Sequence, residues 1–242
     1  MSDTLAAHVE YLAVPVPTAD RPGPWPGVVL IHDIFGLGDD MREQADWLAA
    51  AGYLVAVPDL YDGRSMVRCI RSMFSQLASH RGSVFDKVET ARAVLAADER
   101  CTGTVGAIGF CLGGGFALLM ASDPGWSAMS VNYGMIPDDA AEVLAGACPI
   151  VAAYGAKDRE IPQGAAKLSA ALDAAGVVAD VKEYPKVGHG FMNRYNPPSP
   201  LTTLAKVAGV GYDHASTADA RRRILAFFDV HLRADPRAVS PT

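Results

Sequence analysis

Five short apolar runs recur along this chain, each fenced by glycine, proline or aspartate, with helical patterns between them. The runs are GVVLIH (27–32), YLVAVPDL (53–60), TVGAIGF (104–110), SAMSVNYG (127–134) and PIVAAYG (149–155). Runs this short, rich in Val, Ile and Ala, read as strands buried on both faces. VADVKEYP (178–185) reads as a further strand, and HVEYLAVPV (8–16) as an antiparallel edge strand. Helical patterns fill the gaps: MREQADWLAAA (41–51), SVFDKVETARAVLAA (83–97), QGAAKLSAALDAA (163–175) and STADARRRILAFFDVHL (216–232). The last opens on a Ser-x-x-Asp pattern like a capping box. Strand and helix in alternation imply an α/β chain with a mostly parallel sheet covered on both faces. Such sheets carry their sites beyond the carboxyl ends of the strands. The segment 194–214, with NPPSP at 196–200, reads as a surface loop or partial lid.

At 242 residues the chain is long enough for one sizeable core, and residues 1–242 read as one domain. Its formal net charge of −6 argues against nucleic acid as a partner. No charge occurs between Arg100 and Asp123, a span long enough to raise a membrane helix as an alternative. Six glycines within it, at 103, 106, 109, 113, 114 and 115, favour a buried strand, a tight turn and a buried helix instead. No membrane partner is expected. The N-terminus lacks a signal-peptide pattern, so the reading is a cytoplasmic protein with reduced thiols. The four cysteines, at 69, 101, 111 and 148, have no zinc spacing, and no metal or cofactor is called for.

The chemistry concentrates at residues 104–122. A strand runs into Gly109-Phe110-Cys111-Leu112-Gly113 and a helix follows. This is the G-x-nucleophile-x-G elbow, with cysteine as the nucleophile. The turn is strained, so the residues two before and two after must be very small. It raises the sulfur over the sheet edge at a helix N-terminus, a setting that favours the reactive thiolate. The plain alternative is a buried structural cysteine in a glycine-rich turn. The pattern matches neither a dinucleotide nor a phosphate loop. Cys69, Cys101 and Cys148 lack this setting and read as structural.

In this order of elements an acid and then a histidine follow the nucleophile. Asp158 comes just after PIVAAYG, and His189 just after VKEYP, both at strand ends. A histidine there can take or hold the thiol proton, and a carboxylate fixes its tautomer. Negative charge developing on a substrate carbonyl needs preorganised donors. The backbone N–H of Leu112 is one candidate, and that of Ile34, in HDIFGLG (32–38), the other. Asp33 then lies close to Cys111, as a thiol-modulating group or a turn former. His32 ends its strand beside the site and is expected to line the pocket.

The segments 32–61, GAIGFCLGGG (106–115), YGAKDREIP (154–162) and VGHGFMN (187–193) resemble the dienelactone hydrolase family of α/β-hydrolases. The likeness covers most of residues 9–232. It implies an α/β-hydrolase fold with a Cys111–His189–Asp158 triad. It also implies hydrolysis of a small-molecule lactone or ester through a thioester acyl-enzyme. The family often carries Glu where Asp33 stands, to hold the resting thiol. The family's substrate-binding arginines would fall at Arg68 or Arg71, and near Asn193 and Arg194, with Phe35 and Phe191 as further substrate contacts. Two other functions fit the same fold: a non-catalytic small-molecule binding protein, and a redox-responsive protein that uses the Cys111 thiol. The sequence sets no oligomeric state.

Overall fold

The structure, a computed structural model, describes residues 9–64, 66–194 and 211–233. Its centre is a seven-stranded sheet in the order β1-β3-β2-β4-β5-β6-β7. The strands are β1 (Tyr11–Ala13), β2 (Trp25–Ile31), β3 (Leu54–Val57), β4 (Cys101–Phe110), β5 (Met129–Asn132), β6 (Ile150–Gly155) and β7 (Ala179–Tyr184). β1 pairs antiparallel with β3, as its edge position suggested, and every other pairing is parallel. β2, β3, β5 and β6 are buried along their whole length, as strands covered on both faces must be.

The described helices are α1 (Asp39–Ala50), α2 (Met66–Ser79), α3 (Ser83–Ala96), α4 (Leu112–Leu119), α5 (Ala140–Val143), α6 (Gly164–Ala175) and α7 (His214–Leu232). Side-chain alternation along β4 shows how two of them cover opposite faces. Val105 is the register partner of Gly27, and a Cβ on Gly27 would meet both Val105 and Leu95 of α3. Gly106, the next residue, points the other way, toward Leu232 of α7. α3 buries Val84, Val88, Ala91 and Leu95, and α7 buries Thr217, Ala220, Ile224, Phe228 and Leu232. Both series step by three or four residues, the spacing of one helix face. Each large apolar side chain so buried contributes about 1.5–3 kcal/mol.

Two readings change. α7 begins two residues before Ser216, because Asp213 is its cap and accepts the Ser216 N–H at 2.8 Å. Asp219, expected in a capping box, accepts instead from Lys182 Nζ at 2.7 Å and Tyr184 Oη at 2.9 Å on β7. α2 was not expected; its apolar face packs on α4, where a Cβ at Gly115 would touch Leu77. The charge-free stretch after Arg100 forms β4, the turn and α4. Among the described residues no helix is long and apolar enough to cross a membrane. Most of the expected loop or lid, residues 195–210, lies outside the described residues.

Candidate active site

β4 ends at Phe110, α4 begins at Leu112, and Cys111 between them has φ 53° and ψ −118°. A residue with a side chain reaches that conformation only under strain of order 1–3 kcal/mol. The surroundings impose it. Cys111 donates its backbone N–H to the Asn132 carbonyl of β5 at 3.0 Å, and Asn132 Nδ2 donates to the Gly109 carbonyl at 3.1 Å. The flanking glycines are required by contact. A Cβ on Gly109 would stand 2.1 Å from the Gly113 carbonyl oxygen, and one on Gly113 would stand 2.2 Å from that of Ile31. The second approach seats the first turn of α4 on the end of β2, beside the loop that carries Ile34. Leu112, the first residue of α4, has an N–H that the helix itself cannot satisfy.

Cys111 is partly exposed, whereas Asp158 and His189 are buried. The β6–α6 turn holds Asp158 by two N–H donors, from Glu160 at 2.9 Å and Ile161 at 3.0 Å, both on Oδ1. Its Oδ2 is left to accept from His189 Nδ1 at 2.8 Å. Burial would raise the Asp158 carboxyl, but His189 and the two N–H groups outweigh it and hold the pKa below the usual range. Burial would likewise lower the imidazole. The Asp158 carboxylate and the Cys111 sulfur overcome that and push His189 up to about 10. Nε2, the nitrogen left for Cys111, is buried and has no regular hydrogen bond. Burial raises the Cys101 and Cys148 thiols, Cys148 to about 12, which keeps them protonated. Cys69 points its thiol at the Tyr61 carbonyl, 3.8 Å away.

Ile34 is half-buried, and its carbonyl accepts from the Tyr61 hydroxyl. Asp33 is buried; its Oδ1 accepts the Phe35 N–H at 2.8 Å, which shapes the loop as a tight turn. Burial chiefly raises the Tyr61 and Tyr133 phenols, and Asp33 and Cys111 add to it at both rings. His32 does not line the pocket. It is fully buried, with Nδ1 2.7 Å from the Asp33 carbonyl and Nε2 taking the Leu60 N–H at 3.4 Å. Burial lowers its pKa, so it is a neutral brace behind the loop.

The proposed substrate contacts divide. Phe35 is 55% exposed at the loop tip. Phe191 and Asn193 are fully buried and support other residues: Phe191 packs on Tyr133 and Tyr184, and Asn193 binds Tyr133 and Asp40. A group so enclosed cannot meet a substrate without rearrangement. Arg194 is exposed, 3.8 Å from Glu43 and stacked over Tyr212. Arg68 and Arg71 are exposed on α2, and no described contact ties either to Cys111 or His189. Sequence reasoning passed over Tyr61, Tyr133, Asp40 and Glu160. Tyr133 had a signal, since it stands at the carboxyl end of β5 before Gly134. Among the described residues no group of three or more His, Cys, Asp or Glu is placed to hold a metal.

Comparison with known proteins bears on the fold and the family. A carboxymethylenebutenolidase of Pseudomonas putida is 26% identical over 215 residues, which cover 84% of this chain and 85% of that protein. A dienelactone hydrolase-like promiscuous phosphotriesterase from metagenomic libraries shares the fold with a TM-score of 0.72, at 23% identity, over 89% of this chain and 90% of its own. The dienelactone hydrolase of Anabaena variabilis ATCC 29413 gives 0.63 at 20% identity, over 92% of this chain and 91% of its own. The profile of the dienelactone hydrolase family matches residues 11–232. The chain therefore belongs to the dienelactone hydrolase family of α/β-hydrolases.

Proposed function

We propose that this protein hydrolyses a lactone or carboxylic ester by way of an acyl group carried on Cys111. The observation that carries the reading is the buried Asp158–His189 bond of 2.8 Å, with Nε2 of that ring left for a thiol raised on a strained turn. Cys111 Sγ attacks the carbonyl carbon as a thiolate, with His189 holding the proton. The oxyanion draws on the N–H groups of Leu112 and Ile34. The tetrahedral intermediate collapses, His189 passes its proton to the leaving alkoxide, and a thioester remains. Water, its proton taken by His189, then cleaves the thioester and restores the thiol. Asp158 keeps the ring oriented and stabilises its charged form throughout.

The family match and the carboxymethylenebutenolidase relative support the substrate class, a small-molecule ester or lactone. The chemistry asks for no metal or cofactor. The described elements all surround one sheet, which supports reading the chain as one domain.

Rapid quenching during turnover of an activated ester, then mass spectrometry of the peptide containing Cys111, tests the proposal. The expected result is an acyl adduct on Cys111 and a loss of about 10³-fold or more in kcat for Cys111→Ala. A Cys111→Ala protein as active as the parent would remove the reading.

A further inference from the structure

We propose that Glu160 seats the water that hydrolyses the acyl group on Cys111, by accepting one of its O–H groups beside His189 Nε2. This rests on the acyl-transfer reading above and assigns a residue to its second half.

One turn brackets the imidazole. Asp158, at the start of that turn, takes the Nδ1 side at 2.8 Å. Glu160, two residues on, donates its backbone N–H to Asp158 Oδ1 at 2.9 Å, which fixes where its side chain leaves the main chain. From there Oε2 comes within 3.7 Å of His189 Nε2, the nitrogen left for Cys111. That separation is longer than a hydrogen bond, so Glu160 does not take Nε2 away from the thiol. The Asp158 side chain is fully buried, whereas that of Glu160 is 63% exposed, so its carboxylate stands where solvent reaches the ring. Among the described residues, no lysine or arginine pairs with it.

The two halves of the reaction use Nε2 differently. While Cys111 is a thiolate, its charge helps to hold the proton on His189. A thioester carries no such charge. The ring then gives up its proton more readily and can serve as a base, and Glu160 is the described acceptor that remains beside Nε2. A water arriving from solvent meets both groups. It aims one O–H at Nε2 and the other at Glu160 Oε2. Such a water, about 2.8 Å from each acceptor, spans about 4.4 Å between them, which an exposed glutamate reaches from 3.7 Å by a small rotation. Its oxygen bonds to the acyl carbon, and its proton passes to Nε2. The C–S bond breaks with the electron pair going to sulfur, and the carboxylic acid leaves. Acylation consumes no water, so that half needs nothing from Glu160.

The test uses 4-nitrophenyl acetate at saturation, with acid quenching during steady turnover and mass spectrometry of the protein. The ratio of acylated to free Cys111 then equals the acylation rate divided by the deacylation rate. Glu160→Ala should raise that ratio about tenfold, the worth of one hydrogen bond to a charged group. Glu160→Gln, which keeps an acceptor but loses the charge, should raise it about threefold. Both variants retain the backbone N–H that holds Asp158, so the turn is preserved. Hydroxylamine, which attacks thioesters without help from a base, should return the Glu160→Ala ratio to that of the parent in the same solution. A merely structural role would displace His189 and slow both halves together, leaving the ratio where it was. An unchanged ratio, or one that hydroxylamine leaves high, would overturn the inference. No adduct on Cys111 in the parent or either variant would overturn the acyl-transfer reading instead.

Discussion

Tyr133 stands edge-on to His189, with ring centroids 5.2 Å apart and planes at 64°. The phenol is fully buried on a backbone of φ 41°, and its hydroxyl donates to Asn193 Oδ1. Asn193 Nδ2 donates in turn to Asp40 Oδ2 at 2.6 Å, and Asp40 Oδ1 takes the Arg194 N–H at 2.7 Å. The first turn of α1 is thereby tied to the segment that follows His189. Gln44, one turn further along, reinforces this by donating to the Met192 carbonyl at 2.8 Å. The wall against which His189 leans is a buried polar network, and such networks are stabilising only when every member is satisfied.

Tyr133→Phe keeps the ring and removes one hydroxyl. Asn193 Oδ1 is then left buried without its donor, at a cost of about 1–3 kcal/mol. Urea unfolding should show that loss. Because the His189 wall loosens, kcat should fall about tenfold while KM stays within about twofold. A kcat equal to the parent's would mean that the network serves stability alone.

The sheet and the meeting of Asp158 with His189 beyond its strand ends were legible in the sequence because local chemistry specifies them. Apolar runs between turn formers mark parallel strands, and the glycines at 109 and 113 are demanded by contacts of 2.1 and 2.2 Å. Asp158 and His189 follow from strand ends. What was illegible depends on partners distant in sequence. His32 looked like a pocket residue, yet the Leu60 N–H, brought in by the turn after β3, draws it inward. Asn193 looked like a substrate contact, but Asp40, 153 residues away, claims it. The start of α7 was misplaced because Asp213 and Ser216 are both good capping residues, and β7 engages Asp219, which removes it from the competition.

Tyr61 offers a separate test of the loop proposed to supply an oxyanion donor. Its hydroxyl holds the Ile34 carbonyl, and its ring packs on His32 with centroids 5.1 Å apart. Tyr61→Phe should leave the fold intact and allow the Ile34 peptide to rotate. Loss of a well-placed donor costs up to about 10²–10³ in kcat, so a loosened one should cost roughly 10-fold, with KM little changed. Steady-state kinetics on an activated ester, beside an unchanged circular dichroism spectrum, would show it. Equal kcat values would place the oxyanion donors elsewhere.

Gly113→Ala tests the seating of the elbow. The added methyl would stand 2.2 Å from the Ile31 carbonyl oxygen and 2.6 Å from that of His32, both main-chain atoms that cannot step aside. The expected cost is about 3 kcal/mol or more, at the upper end for overpacking. Thermal unfolding should drop by many degrees. Gly63→Ala is not a fair control, since φ is +67° there; Gly38→Ala, with open space around its Cβ, is, and it should change little. A Gly113→Ala protein as stable as the Gly38→Ala control would show that the first turn of α4 can lift away from β2.

Asp158→Asn separates the orientation of His189 from its charge. The amide has no second carboxylate oxygen to accept from Nδ1, and it can stabilise the wrong tautomer, so kcat should fall about 10²–10⁴-fold. Stability should change with a definite pH signature. His189 is raised to about 10 in the folded protein, against about 6.5 when unfolded, so its contribution is complete below 6.5 and is lost as pH rises toward 10. Asp158 is lowered when folded, so its contribution is present above about 4 and disappears as pH falls through the folded value. The parent's advantage over Asp158→Asn should therefore be greatest between roughly pH 4 and 6.5, at about 3 kcal/mol for a buried pair broken on one side, and should shrink steadily toward pH 10. Urea unfolding of both proteins at pH 5.5, 7.5 and 9.5 measures it. A difference that stays constant across the three would mean that the charge on His189 contributes nothing to the fold, and that Asp158 acts by geometry alone.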